Sequence, residues 1–167
     1  YVPSNTHPIY LDKIRALGAE VIIAGDVWDD AHQAALAASV AKKAAYIPPF
    51  DHPLIWAGNS TLIDEVVGLM PKPEAIVLAV GGGGLAAGVA EGLMRYAWAD
   101  IPIYGVEPEG AASFAASLAA NEIVHLKEIK TLITTLGTKH VCQRLLDLAR
   151  ISPIHPLQVS DRQAIAV

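Results

Sequence analysis

An α/β fold built on parallel strands is predicted by three observations. Short apolar or β-branched runs alternate with longer runs whose apolar residues recur at helical spacing, the pattern of strand–helix–strand units. The strand-like run 75–80 passes through four consecutive glycines, Gly81 to Gly84, straight into a helix-like run over 85–98. Hydrophobic residues make up 53% of the 167-residue chain, enough for a sizeable core.

Each element has its own justification. Residues 8–17 read as a helix, because Ile9, Leu11, Ile14 and Leu17 share one face and Gly18 ends the run. A short strand is expected at 20–24, closed by Gly25 and Asp26. Asp29 and Asp30 suit a helix N-terminus, and an alanine-rich helix follows to about Lys43. Residues 45–47 read as a strand. Pro48, Pro49 and Pro53 then block helix and central strand alike, so 48–53 is expected as a loop where the chain crosses between domains. Ser60 is expected to cap a helix over 61–69, stopped by Pro71 and Pro73. The strand 75–80, the glycine loop, the helix 85–98 and a strand at 101–106 follow. Residues 108–110 turn into a small-residue helix over 111–120. The remainder reads as a helix over 139–149, a strand at 157–159 and a helix opening at Ser160 and Asp161. Tyr1-Val2-Pro3 reads as the tail of a strand and 160–165 as a helix cut short, so part of a longer chain is expected.

The glycine loop carries the chemistry. The first N–H groups of a helix have no internal partner, and the helix dipole adds partial positive charge there. Such a place binds phosphate without Lys or Arg. A plain strand–helix turn needs one or two glycines; four weaken folding and are expected to return no packing. Gly81-x-Gly83-x-x-Ala86 and Gly82-x-Gly84-x-x-Ala87 also satisfy a loose dinucleotide fingerprint, and Glu107 stands about where a ribose-binding acid would. A nicotinamide cofactor is therefore a competing reading. A P-loop is not, because no Gly-Lys-Ser or Gly-Lys-Thr follows.

Several classes are set aside. A net charge of −5 offers no basic field for nucleic acid or anionic lipid. No apolar stretch reaches the roughly 20 residues of a membrane span. One cysteine, Cys142, provides no internal disulfide framework, so a reducing compartment is expected. Cys142 is expected within a helix, as a core thiol. His7, His32, His52, His125, His140 and His155 are scattered without metal-ligand spacing on a helix face. His52, in the proline loop, is the candidate for a substrate contact. Asp29 and Asp30 read as a helix-terminal charge pair, Ser160 and Asp161 as an N-cap, and Trp28, Trp56 and Trp98 as packing.

Five stretches together resemble a known family. They are Ala19-Glu20-Val21, Pro49-Phe50-Asp51-His52-Pro53-Leu54-Ile55-Trp56-Ala57-Gly58, Val80-Gly81-Gly82-Gly83-Gly84-Leu85-Ala86-Ala87-Gly88, Gly105-Val106-Glu107-Pro108-Glu109-Gly110-Ala111 and Val159-Ser160-Asp161. They resemble the fold-type II pyridoxal-phosphate enzymes (tryptophan synthase β-like), and within these the L-serine/L-threonine dehydratases. Residues 46–56 and 72–85 are most similar to the serine dehydratase branch. The resemblance covers essentially the whole chain, and the tetraglycine loop with the Phe-Asp-x-Pro loop before it is a specific signal.

The resemblance implies doubly wound parallel sheets in two domains, with the cofactor in the cleft between them. Residues 1–53 would be the later part of a small domain and 54–167 the first half of a large pyridoxal-phosphate-binding domain. The implied activity is β-elimination of L-serine, and of L-threonine, to pyruvate or 2-oxobutyrate and ammonia, by a cytoplasmic homodimer. Gly81, Gly82, Gly83, Gly84, Leu85 and Thr135 would hold the 5′-phosphate, and Phe50 would meet the amino-acid substrate. A potassium-type monovalent cation would be held by the carbonyls of Gly81, Ala111, Leu136 and Thr138 and by the Glu107 side chain.

The family's cofactor-linked lysine lies in an upstream segment, with the loop that holds the substrate carboxylate. No catalytic residue is therefore assigned in this chain, Lys42 and Lys43 included, and the piece alone is expected to be inactive. The residue that faces the pyridine nitrogen lies downstream. Ile133, within 131–137, stands where the family usually has a small residue. Other readings stay open: a nicotinamide-dependent oxidoreductase domain, another fold-type II enzyme (serine racemase, threonine synthase or cysteine synthase), and a non-catalytic cofactor-binding or subunit-interaction fragment.

Overall fold

The structure, a computed structural model, describes residues 1–166. They form two compact units, Tyr1–Ile47 and the chain from Pro48 onward.

The first unit holds helices α1 (Pro8–Ala16) and α2 (Trp28–Lys42). Pro8 opens α1 where its missing N–H is no loss, and the His7 ring accepts the Ile9 N–H. Asp30 accepts the N–H groups of Asp26 and Val27 and so closes the turn into α2. The strand expected at 20–24 is reduced to one parallel bridge, Val2 with Ile23. Residues 45–47 form no strand. Both runs have strand composition, but a strand exists only where a neighbour completes its ladder.

The second unit is α/β. Strands β1 (Ile76–Ala79), β2 (Ile103–Pro108) and β3 (Ile154–Val159) form a parallel sheet in the order β1-β2-β3. Ile76 stands opposite Ile103, and Ile103 opposite Ile154. Pro156 is tolerated because β3 is an edge among the described strands. One face, carrying Ile103 and Glu107, is buried; on the other, Val77 is 67% exposed and Leu157 44%. Helices α3 (Pro53–Leu69), α4 (Gly84–Arg95), α5 (Ser113–Ala120), α6 (Gln143–Ala149) and α7 (Asp161–Ile165) complete the unit. The core gathers Ile63, Leu93, Ile103, Phe114, Leu145 and Leu148, all fully buried.

Helix α3 starts eight residues before the expected 61, at Pro53. Proline at the first helical position breaks no hydrogen bond, and the His52 ring accepts the Leu54 N–H. Ser60 is therefore not a cap. It lies buried inside α3, its hydroxyl bonded to the Ala57 carbonyl. Helix α4 carries one glycine on each successive turn, Gly84 against Phe50 and Gly88 and Gly92 against α3. A Cβ on Gly88 would sit 2.5 Å from the Trp56 carbonyl oxygen, and one on Gly92 2.8 Å from that of Ser60. Arg95 bolts the far end, donating to the Ser60 hydroxyl at 2.8 Å and to Asp64 at 2.6 Å.

This packing sets opposite outcomes for two glycines. Gly88→Ala forces a methyl into backbone and should destabilise the protein by about 1–3 kcal/mol. A Cβ on Gly68, in the exposed last turn of α3, meets nothing, and Gly68→Ala should stabilise by roughly 0.5–1 kcal/mol. Equilibrium urea unfolding of both variants checks this; equal shifts of the same sign would contradict the close α3–α4 contact.

Candidate functional site

The site begins where β1 ends. The Val80 N–H still joins the sheet, donating to the Val106 carbonyl at 2.9 Å. The chain then turns through Gly81 to Gly84, with Gly83 in the left-handed region (φ 87°) at the N-cap of α4. The first backbone bond into the helix comes from Ala87 to the Gly83 carbonyl. Among the described residues, none of the N–H groups from Gly81 to Ala86 finds a backbone or side-chain acceptor. All but those of Gly81 and Leu85 belong to buried residues. A run of unanswered donors at the start of a helix is suited to a phosphate.

The glycines also have a packing role, against the expectation that they return none. A Cβ on Gly82 would enter the Phe50 ring at 2.3 Å, and one on Gly84 would reach the Phe50 carbonyl oxygen at 2.6 Å. At Gly83 it would meet Leu145 at 2.8 Å, and at Gly81 the Leu136 Cα at 3.3 Å. Phe50 is 8% exposed, and its carbonyl accepts the Trp56 indole N–H. The loop is thus a narrow ribbon between Phe50, Leu145 and Leu136, cradled so tightly that any side chain would fill it.

Cys142 contributes from behind. It is the N-cap of α6 rather than a helical residue, and its N–H donates to the Gly82 carbonyl at 2.9 Å. Burial pushes its thiol up to about 11, so it stays protonated and inert at neutral pH. Thr135 stands in a single 3₁₀ turn, Thr134–Leu136, whose Leu136 backbone forms the wall beside Gly81. Thr135 itself is exposed. Ile133 fits without disruption, its N–H donating to the Thr131 hydroxyl oxygen at 3.0 Å. His52 is used as the α3 cap.

Glu107 lies at the carboxyl end of β2 and is fully buried. Its two oxygens accept the N–H groups of Phe114 at 2.7 Å and Ala115 at 2.8 Å. These are first-turn donors of α5, whose own N-cap residue, Ala112, has no side-chain acceptor. Burial pushes the Glu107 carboxyl up to about 7, against the pull of those two bonds. A ribose-binding acid must reach its ligand, and a fully buried, doubly bonded carboxylate does not, so the nicotinamide reading loses its acid. The structure brings Gly81 and Leu136 together. The Leu136 carbonyl accepts the Thr138 N–H, while the buried hydroxyl of Thr138 has no hydrogen-bond partner among the described residues. Ala111 is buried just after β2, in a 3₁₀ turn, Glu109–Ala111. Among the described residues no three His, Cys, Asp or Glu side chains gather as a metal centre, so a cation here would depend on carbonyl oxygens and Glu107.

The chain is similar to known proteins in sequence and in fold. The family model described as pyridoxal-phosphate dependent enzyme matches residues 1–167. The L-serine dehydratase of Dictyostelium discoideum is 39% identical over 98% of this chain and 49% of its own length. The human L-serine dehydratase/L-threonine deaminase is 40% identical over 99% of this chain and 51% of its own length. The crystal structure of a fungal L-serine ammonia-lyase from Rhizomucor miehei superposes with a TM-score of 0.91 at 36% identity, covering 99% of this chain and 53% of that one. The chain therefore spans about half the length of the curated relatives it matches.

The Glu107 environment predicts a pH profile. A carboxyl raised to about 7 from an ordinary 4.5 holds its proton more tightly in the folded than in the unfolded chain. Its contribution to stability is fully present below the lower value and is lost as pH rises through the upper one. Stability to urea should fall between about pH 5 and pH 8 by on the order of 3 kcal/mol. Glu107→Gln should remove that slope. A wild-type profile that is flat across this window, measured in a buffer whose only cations are bulky organic ones, would overturn the assignment.

Proposed function

The chain belongs to the pyridoxal-phosphate dependent enzyme family, and from that premise we propose that it is the phosphate-holding part of an L-serine/L-threonine ammonia-lyase. The observation that carries this reading is the run of unanswered N–H groups from Gly81 to Ala86, opening on four glycines walled closely by Phe50, Leu145 and Leu136. When bound, pyridoxal phosphate supplies an electron sink that lets an amino acid lose its α-proton and its β-hydroxyl. The residues of this chain bind and orient. Gly81, Gly82, Gly83, Gly84 and Leu85 hold the 5′-phosphate through backbone N–H groups, which favour a dianion without adding side-chain charge. Thr135, next in sequence to the Leu136 that walls Gly81, adds a hydroxyl donor. Phe50 closes the loop's far wall and borders the amino-acid substrate.

A potassium-type cation completes the reading. Its ligands are the carbonyls of Gly81, Ala111, Leu136 and Thr138 with the Glu107 carboxylate. A hard monovalent ion suits oxygen donors and one negative charge. The support is a buried carboxylate raised by desolvation, which a cation would return to its ionised form. The ion braces the loop and takes no part in bond making. The whole enzyme works as a cytoplasmic homodimer on L-serine, and accepts L-threonine; no helix among the described residues is long and apolar enough to cross a membrane. The chain spans about half the length of the curated relatives it matches, and this piece by itself is expected to form no pyruvate.

The test uses the intact polypeptide that carries this segment. It should bind pyridoxal phosphate, seen by visible absorbance, and release pyruvate from L-serine. Gly83→Val should abolish cofactor retention, and Glu107→Gln should weaken both potassium dependence and cofactor affinity. Unchanged affinity in Gly83→Val would sink the phosphate assignment. Identical activity in potassium and in a bulky organic-cation buffer would remove the cation, and a preference for O-acetylserine would refute the substrate branch.

A further inference from the structure

We infer that Asp161 is a positioning residue for the phosphate loop, fixing from α7 the 129–138 connection whose Leu136 wall stands against Gly81. The inference rests on the reading that Gly81 to Leu85 hold phosphate. Asp161 lies in the first turn of α7, where a carboxylate commonly caps its own helix. Here that task is taken by Ser160, whose hydroxyl accepts the Gln163 N–H while Gln163 returns a bond to the Ser160 N–H. The Asp161 oxygens turn to a distant segment instead. One accepts the Thr131 hydroxyl, and the other accepts the Leu132 N–H at 2.8 Å.

The bonds run on from there to the loop. The Thr131 oxygen accepts the Ile133 N–H at 3.0 Å, and the Ile133 carbonyl accepts the Leu136 N–H at 3.0 Å. Leu136 then meets Gly81, at 3.3 Å from where a Cβ would stand. Next to Thr131 the connection is pinned a second time, by the Lys130 N–H to the Gly110 carbonyl, a contact so close that no side chain fits on Gly110. Both anchors sit on the sheet's carboxyl end: Gly110 follows β2 and Asp161 follows β3. The hydroxyl and N–H donors hold the Asp161 carboxyl below the usual carboxylate range, as expected of a working anionic acceptor. The short 3₁₀ turn has no buried residue of its own, so its place beside Gly81 depends on such tethers.

Asp161→Ala in the intact polypeptide should speed amide exchange at Leu136 and Thr138 in the cofactor-free protein and raise the dissociation constant for pyridoxal phosphate about tenfold, the effect of losing one charge-assisted hydrogen bond. Thr131→Val should behave alike, and Thr131→Ser should restore wild-type values. Gln163→Ala, which loosens the α7 cap without touching Thr131, should leave both readouts unchanged. Unchanged exchange in Asp161→Ala overturns the tether. Faster exchange with unchanged cofactor affinity, or an equal loss in Gln163→Ala, overturns its role toward the loop. A wild-type polypeptide without affinity for pyridoxal phosphate overturns the proposed function instead, and the exchange data then still decide the tether.

Discussion

How closely one backbone can approach another governs the second unit. From Gly81 to Gly92 the chain repeatedly lacks a Cβ where Phe50 and α3 press against it. A glycine inside a helix weakens it by roughly 0.5–1 kcal/mol relative to alanine. What offsets this is contact: α4 lies on the Trp56 and Ser60 carbonyls and on Ile63, where any side chain would force the helices apart. The same closeness delivers the loop. Phe50 and α3 fix where α4 begins, α4 fixes Gly83, and Gly83 aims the first-turn N–H groups.

Electrostatics adds a second constraint at the next strand. A buried carboxylate is unfavourable unless its charge is answered. Glu107 is answered by two peptide dipoles at the start of α5, which in turn has no capping side chain of its own. Strand β2 and helix α5 are therefore joined through a side chain as well as through the chain between them. The two N–H groups do not fully replace water, and the carboxyl remains raised. Glu107 is thus a structural strut with unused capacity for positive charge.

What could be read from residues alone followed the range of the interactions concerned. Strands β1 and β2 and helices α1, α2 and α4 lie within a few residues of their expected places, because periodicity and terminal glycines are local. Helix α3 starts earlier than its sequence suggests, because Pro53 has the look of a breaker and is in fact the first helical residue. The runs at 20–24 and 45–47 looked like strands, but strand formation is decided by a neighbour. Strand β3 is longer than its sequence suggests, since Pro156 sits inside it on an edge where its missing N–H does no harm. In the site, the glycine loop and Glu107 stood out as strand-end features. The packing duty of the glycines did not, although their spacing at 84, 88 and 92 was a visible signal. Phe50 lies some thirty residues upstream, and the tie between Thr131 and Asp161 spans a similar distance, so neither partner shows in a local pattern.

The glycine stripe along α4 has a consequence for the order in which the molecule assembles. Three glycines in a helix of 12 residues leave it little helicity in isolation. Its coiling and its docking on α3 are then a single event, late enough to require a helix already in place. The donors that open α4 do not exist as a group before that event. A ligand held by those donors consequently cannot nucleate this unit; it can only trap the helix pair once it has formed.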